Sequence, residues 1–432
     1  MTASTSRRDR YRSWRHRFRV SNTVDLVLVQ FLGATLLARV LTDDLSAPNS
    51  RHSGSLNSSA CIAILIIAVA TGLLLGRRRG IPSTILSILW LCIWTVVAVN
   101  THGASSETLR EGVREVSIVA LAVIVYNARG AVTVPTATRL VQLVGIPPAI
   151  VALYQLATNT GADIAGELRS YGTFAHPNSA AMFFAIGATA SLWLYLDHGR
   201  HRADALLVAL FAAALLVTFS IDGLITLAAM LVAFGVLRPG SWRVKLGPSA
   251  IAGAVVLVFF ATPLGSQRIA KESTSAQSIE RGEGGSSLAW RFKKWKMLLS
   301  EWEQAPLVGR GLGTTVTVER VPGNEFIGEP PHNEYVRYLV ETGVVGLIIL
   351  LWGLAILARH LVRKRRIPGT LTAGTLNAAT LAIAVVVGCL VNSLADNTLL
   401  NSPTCYAAAL ILAAVLALPG IEVRRAPAVQ TV

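Results

Sequence analysis

A histidine next to an asparagine, His332-Asn333, stands where a long polar stretch of the chain gives way to an apolar one. Pro330 and Pro331 precede the pair, and a Gly-x-x-Gly pattern begins at Gly343. An uncharged imidazole at such a boundary can act as a general base, and the two prolines restrict where its ring can sit. Asn333 is placed to cap the helix that follows. A surface histidine without a catalytic role is the alternative interpretation.

Two arginines have the chemistry of anion contacts, because a planar guanidinium can hold two oxygens of a phosphate or carboxylate. Arg169 lies on a short polar loop between apolar spans, where contact with lipid headgroups is an equal alternative. Arg291 belongs to the stretch 288–302, whose large apolar residues fall on one face of a predicted amphipathic helix, while Lys294 points elsewhere. Arg291 falls on the apolar face, so it either precedes the helix or meets an anion in a pocket.

Three polar motifs have structural explanations that compete with functional ones. In His176-Pro177-Asn178, Pro177 suits the first position of a helix and Asn178 or Ser179 can satisfy free N–H groups, so the motif predicts a cap. Asp222, in a tight turn between two apolar spans, is likewise interpreted as a helix cap in preference to a catalytic residue. The glycines in 306–313 are more typical of a plain turn than of a phosphate-binding loop.

The elements that must position these residues are predicted to be membrane helices. The 432 residues are 53% hydrophobic and 15% charged, and the mean hydropathy is +0.54, whereas soluble domains carry about 25% charged residues. Apolar runs of about 17 to 25 residues, long enough to span a membrane as helices, recur along the chain. The sequence therefore predicts an all-α integral membrane protein of about twelve spans. They lie near 24–41, 60–76, 82–99, 112–126, 138–157, 178–196, 204–219, 223–237, 246–263, 335–358, 374–394 and 404–419.

These spans divide the chain into five parts. A basic N-terminus at 1–23 precedes nine helices in 24–263, a long loop follows at 264–333, and three helices in 334–419 precede a tail at 420–432. Most of the 39 lysines and arginines fall in loops on the side of both termini, which places the termini in the cytoplasm and the long loop outside. The net charge of +15 mostly follows from this asymmetry, so it predicts contact with anionic lipid and no nucleic-acid partner.

The motifs together resemble a known family, the O-antigen ligases and the related lipid-linked O-antigen polymerases. The resemblance covers about residues 110–400, and its most specific part is the His-Asn-x9-Gly-x-x-Gly element. The motifs that carry it are Arg169-Ser-Tyr-Gly-Thr-Phe-x-His-Pro-Asn178, Trp295-x-x-x-Leu299, Pro306-x-x-Gly309-x-Gly-x-Gly313 and His332-Asn333-x9-Gly343-x-x-Gly346.

The resemblance implies a membrane glycosyltransferase with a fold like the helical GT-C type, acting at the outer face of the cell membrane. It would move a glycan from an undecaprenyl-pyrophosphate carrier to a hydroxyl of a glycan, glycolipid or other acceptor. His332 would be the catalytic base or an orienting group, and Arg169 and Arg291 would hold the pyrophosphate. No Asp-x-Asp cluster occurs in the outer loops, so no obligatory metal and no cofactor are expected. Three residues of the matching motifs complete the substrate-binding set: His176, Asn178 and Asn333.

One element departs from the family pattern. Many relatives have a basic Ser-Arg element at the turn where this chain has Ser220-Ile221-Asp222. A polymerase, whose acceptor is a second lipid-linked glycan, would have nearly the same sequence as a ligase, so both activities stay open. A secondary transporter is disfavoured, because the predicted spans carry almost no ionisable residues near mid-membrane.

Overall fold

The computed structural model describes residues 23–43, 106–128, 132–164, 167–262, 265–267, 270, 287–317, 330–366 and 373–418, and the structural statements below concern these residues. The spans predicted near 60–76 and 82–99 lie outside them, as does the tail at 420–432.

Helices dominate the described part of the chain, and all but α8 and α9 coincide with predicted spans. A 3-10 turn at Thr398–Leu400 precedes the last helix. The helices are α1 Thr23–Leu41, α2 Ser106–Asn127, α3 Val134–Thr158, α4 Pro177–Asp197, α5 Arg202–Leu216, α6 Ile221–Leu237, α7 Trp242–Ala261, α8 Ser287–Trp302, α9 Thr314–Thr317, α10 Glu334–Arg366, α11 Ala373–Asn392 and α12 Ser402–Leu416.

The apolar character of these helices is that of a membrane protein. Among the described residues, α3, α4, α7 and α10 are long and apolar enough to cross a membrane, and α1, α6, α11 and α12 contain shorter apolar helices. The all-α membrane architecture is confirmed at this level. The total of twelve spans and the likeness to the GT-C type stay predictions.

Helix α4 forms the centre of the bundle, because 89% of the residues in its 18-residue apolar stretch are buried. It consists largely of small and aromatic residues and packs against α3, α5, α6, α11 and α12. The ring of Phe184 lies 6.4 Å from that of Phe183 and 6.4 Å from that of Phe211, and Gly187 lets Phe211 approach the α4 backbone. Because α4 is so enclosed, its first turn is held firmly at one end of the bundle.

Polar side chains gather at the two ends of the bundle. At one end Arg139 pairs with Asp204, which joins α3 to α5, and Arg238 pairs with Asp197 at 2.6 Å. At the opposite end, side chains from the first turns of α4, α6 and α12 meet the last turns of α1 and the segments that follow α5 and α11. The candidate site lies at this second end.

A small hairpin modifies the all-α expectation. Strand β1 Ala162–Ile164 pairs antiparallel with β2 Glu167–Arg169, with Ala162 opposite Arg169. The sequence predicted only an outer loop here, because strands of three residues are too short to show a period of two. The hairpin places Arg169 against the end of the bundle where the candidate site lies.

The glycines of two sequence motifs meet in one backbone contact. Helix α10 is broken at Gly343, where φ is 68° and ψ is −175°, and the loop at Gly309 lies against the break with φ 75°. A Cβ on Gly309 would come 2.4 Å from the carbonyl carbon of Glu341, and one on Gly343 would come 2.2 Å from the carbonyl oxygen of Leu307. Backbone hydrogen bonds join the loop to both sides of the break. The loop at 306–313 is therefore a turn that packs against the break in α10. This agrees with the interpretation of its glycines as a plain turn.

Candidate active site

The centre of the site is a contact between His332 and Asp396. His332 Nδ1 lies 2.9 Å from Asp396 Oδ1, and the two side chains are only 14% and 6% exposed. Since an ionised carboxylate can only accept hydrogen bonds, Nδ1 must carry the shared proton, and Nε2 of the neutral ring then has the lone pair. A carboxylate in this position orients a histidine that acts as a base.

The environment of Asp396 keeps its carboxyl group ionised. Burial raises the pKa of this carboxyl, but the hydrogen bond and charge of His332, with His176 nearby, outweigh burial and hold the pKa at about 2, below the ordinary 3.8. Asn401 Nδ2 lies 3.4 Å from the second carboxylate oxygen, and Asn401 Oδ1 accepts a hydrogen bond from Ser179 at 2.6 Å. Both oxygens of Asp396 are therefore held. Sequence reasoning missed this residue.

Asn333 ties the start of α10 to the turn that carries Asp396. Its Oδ1 accepts hydrogen bonds from the backbone N–H groups of Tyr335 and Val336 at 3.0 and 3.1 Å, which confirms the predicted cap. Its Nδ2 donates to the carbonyl of Leu394 at 3.1 Å. Both ends of the side-chain amide are thus used in holding this junction.

The backbone of His332 is itself unusual, with φ at 50°. Histidine is one of the few residues other than glycine that occur in this left-handed region, at a cost of about 1–3 kcal/mol. Trp295 Nε1 donates to the carbonyl of the preceding Pro331 at 2.7 Å. The rings of Trp290 and His176 each lie 5.9 Å from the His332 ring. These contacts from α8 and α4 hold the strained residue and orient its ring.

Arg291 meets an anion, and the anion is Asp222. Arg291 Nη2 lies 3.3 Å from Asp222 Oδ2, and Asn178 Nδ2 lies 3.4 Å from the same oxygen. The interpretation of Asp222 as a helix cap is wrong, because the cap of α6 is Ser220, whose Oγ accepts a hydrogen bond from the N–H of Gly223 at 3.1 Å. The Asp222 carboxylate is thereby left for α8, while Arg291 Nε is buried without a hydrogen-bond partner.

Arg169 lies deeper than the sequence suggested, with 4% of its surface exposed. Its Nε donates to the carbonyl of Thr218 and its Nη2 to Asn178 Oδ1, both at 2.9 Å. The same Asn178 oxygen accepts a hydrogen bond from Ser220 at 3.0 Å. Arg169 therefore fixes the residue that touches Asp222, and its burial does not fit contact with lipid headgroups.

His176 is the cap of α4. Its Nδ1 accepts a hydrogen bond from the backbone N–H of Asn178 at 3.1 Å, and Pro177 occupies the first turn as predicted. The expectation that Asn178 or Ser179 caps this helix is wrong. Both side chains have long-range hydrogen-bond partners instead. Asn178 accepts a hydrogen bond from Arg169, and Ser179 donates one to Asn401.

Helix α8 packs with a face rotated from the predicted one. Lys294 and Leu298 are 3% and 0% exposed, whereas Phe292 is 54% exposed. The pairing of Arg291 with Asp222 explains this rotation, because a helix that buries position 291 also buries the positions three and seven residues later. The prediction that Arg291 faces the buried side is confirmed, and those for Phe292 and Lys294 are wrong.

A second polar network supports the start of α10. Arg337 is fully buried and lies within 3.2 Å of the carboxylates of Glu115, Glu334 and Glu341. Sequence reasoning missed this network. The available signal was the spacing of Glu334, Arg337 and Glu341 along one helix face, whereas Glu115 is 222 residues away from Arg337. The network fastens α2 to the helix that follows His332.

Helix α1 reaches the site as well. Arg39 Nη2 lies 2.9 Å from Asp43 and donates to Ser402 Oγ at 2.7 Å. Asp43 in turn accepts a hydrogen bond from the backbone N–H of Ala175 at 3.1 Å. Since Ala175 precedes His176, α1 helps to hold the loop that leads into α4.

No group of three or more histidine, cysteine, aspartate or glutamate residues in the described part of the chain could hold a metal ion. Arg291 is a positively charged side chain at this site. Independence from metals stays a prediction.

Comparison with known proteins bears on this arrangement. Residues 206–351 match a family model described as O-Antigen ligase. This stretch of the chain is similar to the O-antigen ligase family. The matched region includes Asp222, Arg291 and His332, and the resemblance predicted from the motifs is confirmed.

The chain is also similar to the "Exopolysaccharide production protein ExoQ" of Rhizobium meliloti (strain 1021), to which it is 28% identical over 306 residues. The alignment covers 64% of this chain and 66% of the relative, just under two thirds of its length. The two findings together support the O-antigen ligase and polymerase family and a role in polysaccharide biosynthesis.

Proposed function

We propose that the protein is a membrane glycosyltransferase that moves a glycan from an undecaprenyl-pyrophosphate carrier to an acceptor hydroxyl. The observation that carries the proposal is the His332–Asp396 pair beside the partly buried Arg291, at one end of an apolar helix bundle. Displacing a pyrophosphate from a sugar requires a base that takes the proton of the acceptor hydroxyl and a positively charged group next to the leaving pyrophosphate. The site provides both.

In the proposed step, His332 Nε2 takes the proton of the acceptor hydroxyl while the hydroxyl oxygen bonds to the anomeric carbon of the donor sugar. The bond from that carbon to the pyrophosphate oxygen breaks, and its electron pair leaves with undecaprenyl pyrophosphate. Asp396 keeps the His332 ring in the tautomer that can accept a proton and stabilises the imidazolium that forms. Arg291 stabilises the charge that develops on the pyrophosphate.

Arg291 makes the direct pyrophosphate contact in this proposal. Its Nη2 is engaged by Asp222, but its Nε has no partner, so the guanidinium has hydrogen-bonding capacity to offer. Arg169 contributes positive charge and holds Asn178 in place. The other members of the substrate-binding set, His176, Asn178 and Asn333, shape the walls around the two reacting groups.

The acceptor distinguishes two versions of the proposal. In a ligase it is a glycolipid or another compound with a hydroxyl, and in a polymerase it is a second lipid-linked glycan. The description of the matching family favours the ligase, and the name of the Rhizobium relative, an exopolysaccharide production protein, favours the polymerase. Product length separates them, because a ligase adds one glycan to its acceptor and a polymerase gives a ladder of products.

We place the site on the extracytoplasmic side of the cell membrane, with both termini in the cytoplasm and the bilayer supplying the lipid-linked donor. The asymmetry of lysines and arginines in the short loops supports this orientation. No metal, cofactor or nucleic acid takes part in the proposed reaction.

The proposal is tested with His332→Asn, assayed for transfer from native lipid-linked glycan by purified protein in detergent with a chelator present. Asparagine tolerates the left-handed backbone of this position, so the change removes the imidazole without adding strain. Loss of a general base should lower the rate about 10² to 10⁴-fold. The donor should still bind, because its pyrophosphate is assigned to Arg291.

His360→Asn is the matched control, since this histidine is on α10, the helix that follows His332, and its Nδ1 donates a hydrogen bond to the carbonyl of Ile356 within the helix. It should transfer glycan at the wild-type rate. Near-normal transfer by His332→Asn would make the histidine structural. The search for a base would then move to Glu341, or to Glu329, which is outside the described residues.

A further inference from the structure

Two side chains beside the His332–Asp396 pair have buried hydrogen-bonding atoms without a partner. One is the indole Nε1 of Trp290, whose ring lies 5.9 Å from the His332 ring. The other is the side-chain amide of Asn397, in which both Nδ2 and Oδ1 are unpartnered. Asn397 is 2% exposed, and its backbone N–H donates to the carboxylate of Asp396. Buried polar atoms are normally paired, so such exceptions require an explanation.

We infer that Trp290 and Asn397 form a subsite for a sugar ring of the glycan, next to the reacting groups. The inference rests on the proposed function and names a part of the substrate that the proposed mechanism leaves without a contact. It assigns to Trp290 and Asn397 the recognition of sugar hydroxyls, and to Arg291 the recognition of pyrophosphate.

The chemistry of the unpartnered atoms selects a sugar. An amide offers one acceptor and two donor hydrogens, which match hydroxyl groups because each hydroxyl both donates and accepts. A pyrophosphate only accepts, so it would leave Asn397 Oδ1 unpaired, and the ionised Asp396 beside it would repel a second anion. Trp290 adds an N–H donor and an aromatic surface that can pack against the C–H groups of a sugar ring.

The position of Trp290 also fits the order of groups in the donor. Trp290 and Arg291 are consecutive residues, and they contact His332 and Asp222 respectively. In the donor, the first sugar is bonded directly to the pyrophosphate. Neighbouring residues of α8 therefore face neighbouring parts of one substrate, with the anomeric carbon between them.

The test compares two ligands by thermal stabilisation of the purified full chain in detergent. The first is undecaprenyl pyrophosphate without sugar, and the second is the lipid-linked glycan extracted from the cells that make the protein. Wild-type protein should bind the second more tightly. Asn397→Leu and Trp290→Phe should each weaken binding of the glycan-bearing ligand about 5- to 10-fold, the effect of one or two lost hydrogen bonds. Both variants should bind undecaprenyl pyrophosphate like the wild type.

Trp193→Phe is the control for Trp290→Phe. Trp193 Nε1 is also buried without a partner, but Trp193 is near the other end of α4, about 25 Å from the site. Its variant should keep the wild-type difference between the two ligands. Asn397→Leu should melt no lower than the wild type without ligand, because it removes an unsatisfied amide at similar volume.

The outcomes separate this inference from the proposed function. If the wild type discriminates between the ligands and both site variants keep the full difference, the subsite is wrong and the glycosyltransferase proposal stands. If the wild type binds both ligands equally, the subsite is wrong as well. If the wild type binds neither ligand, the proposed function fails and the subsite fails with it.

Discussion

We expect Asp396→Asn to slow glycan transfer while leaving donor binding intact. The substitution keeps the shape of the side chain and removes its charge. An asparagine can turn its Nδ2 donor toward His332 Nδ1, which moves the ring proton to Nε2. In that tautomer Nε2 has no lone pair for the acceptor proton, so the ring is held in place but cannot act as a base.

The 2.9 Å contact sets the magnitude. A hydrogen bond to a charged group contributes about 1.5–3 kcal/mol, which corresponds to about 10- to 10²-fold in rate. The wrong tautomer lowers the rate further. The total loss in rate reaches about 10⁴-fold in enzymes whose histidine base depends on its carboxylate. We therefore expect kcat to fall between these limits, with little change in the KM for the donor, because Arg291 is untouched.

The same substitution should change how stability depends on pH. The Asp396 carboxyl has a pKa of about 2 in the folded protein, below its ordinary 3.8, so the unfolded chain binds its proton more tightly. The stabilisation by this carboxylate is complete above the ordinary pKa and is lost as the pH falls from there towards 2. The melting temperature of Asp396→Asn should therefore vary less with pH in this window.

The assay is single-turnover transfer from the native lipid-linked glycan at several pH values, with melting curves of the same samples. Asp197→Asn is the control, since Asp197 is also a buried, paired carboxylate but lies at the opposite end of the bundle. A transfer rate for Asp396→Asn within about twofold of the wild type would refute the orienting role. An equal loss in Asp197→Asn would attribute the effect to stability.

Two further predictions concern α8 and α10. Arg291→Lys keeps the charge but loses the planar two-point contact, so donor affinity should fall about 10-fold or more with protein abundance unchanged. The control is Arg310→Lys, at a side chain that is 38% exposed, and this variant should bind the donor normally. Wild-type donor affinity in Arg291→Lys would show that Arg291 is not part of the donor site. Gly343→Ala adds a Cβ that would lie 2.2 Å from a backbone oxygen at a positive φ, which should destabilise the protein by about 1–3 kcal/mol. Gly353→Ala, on the same helix with nothing within 4 Å of its Cβ, should melt like the wild type or higher.

Hydropathy alone predicted where the described helices other than α8 and α9 lie, because each long apolar run must be helical to satisfy its backbone in a membrane. It was least accurate where charged residues are buried. Helix α2 begins at Ser106 and not near residue 112, and the added turns carry Glu111 and precede Glu115. The first turns of α2 read as loop because their sequence is polar, whereas in the structure Glu111 is buried and pairs with Arg114 of the same helix at 2.9 Å.

The candidate site was predicted in part for a similar reason. His332 and Arg291 were found because each had no adequate local explanation, one at a helix start and one on an apolar face. Asp222 was misassigned because its position in a tight turn was sufficient to explain it as a helix cap. The structure shows that Ser220 is the cap of this helix. Asp396 was missed because its contact with His332 spans 64 residues. Its position just beyond an apolar helix was the one signal that could have marked it.

Asp222 is also where the chain departs from the family pattern, which has a basic residue at this turn, and the structure gives that departure a physical meaning. With Asp222 ionised, the buried charge of Arg291 is balanced in the absence of substrate, which offsets the cost of burying it. An incoming pyrophosphate must then compete with a carboxylate that is already 3.3 Å from the guanidinium. A second arginine would attract the donor and hold its product equally well. Under the proposed function, an aspartate at this position would weaken both interactions, because it would pair with Arg291 again as undecaprenyl pyrophosphate departs, and so would favour release of the carrier.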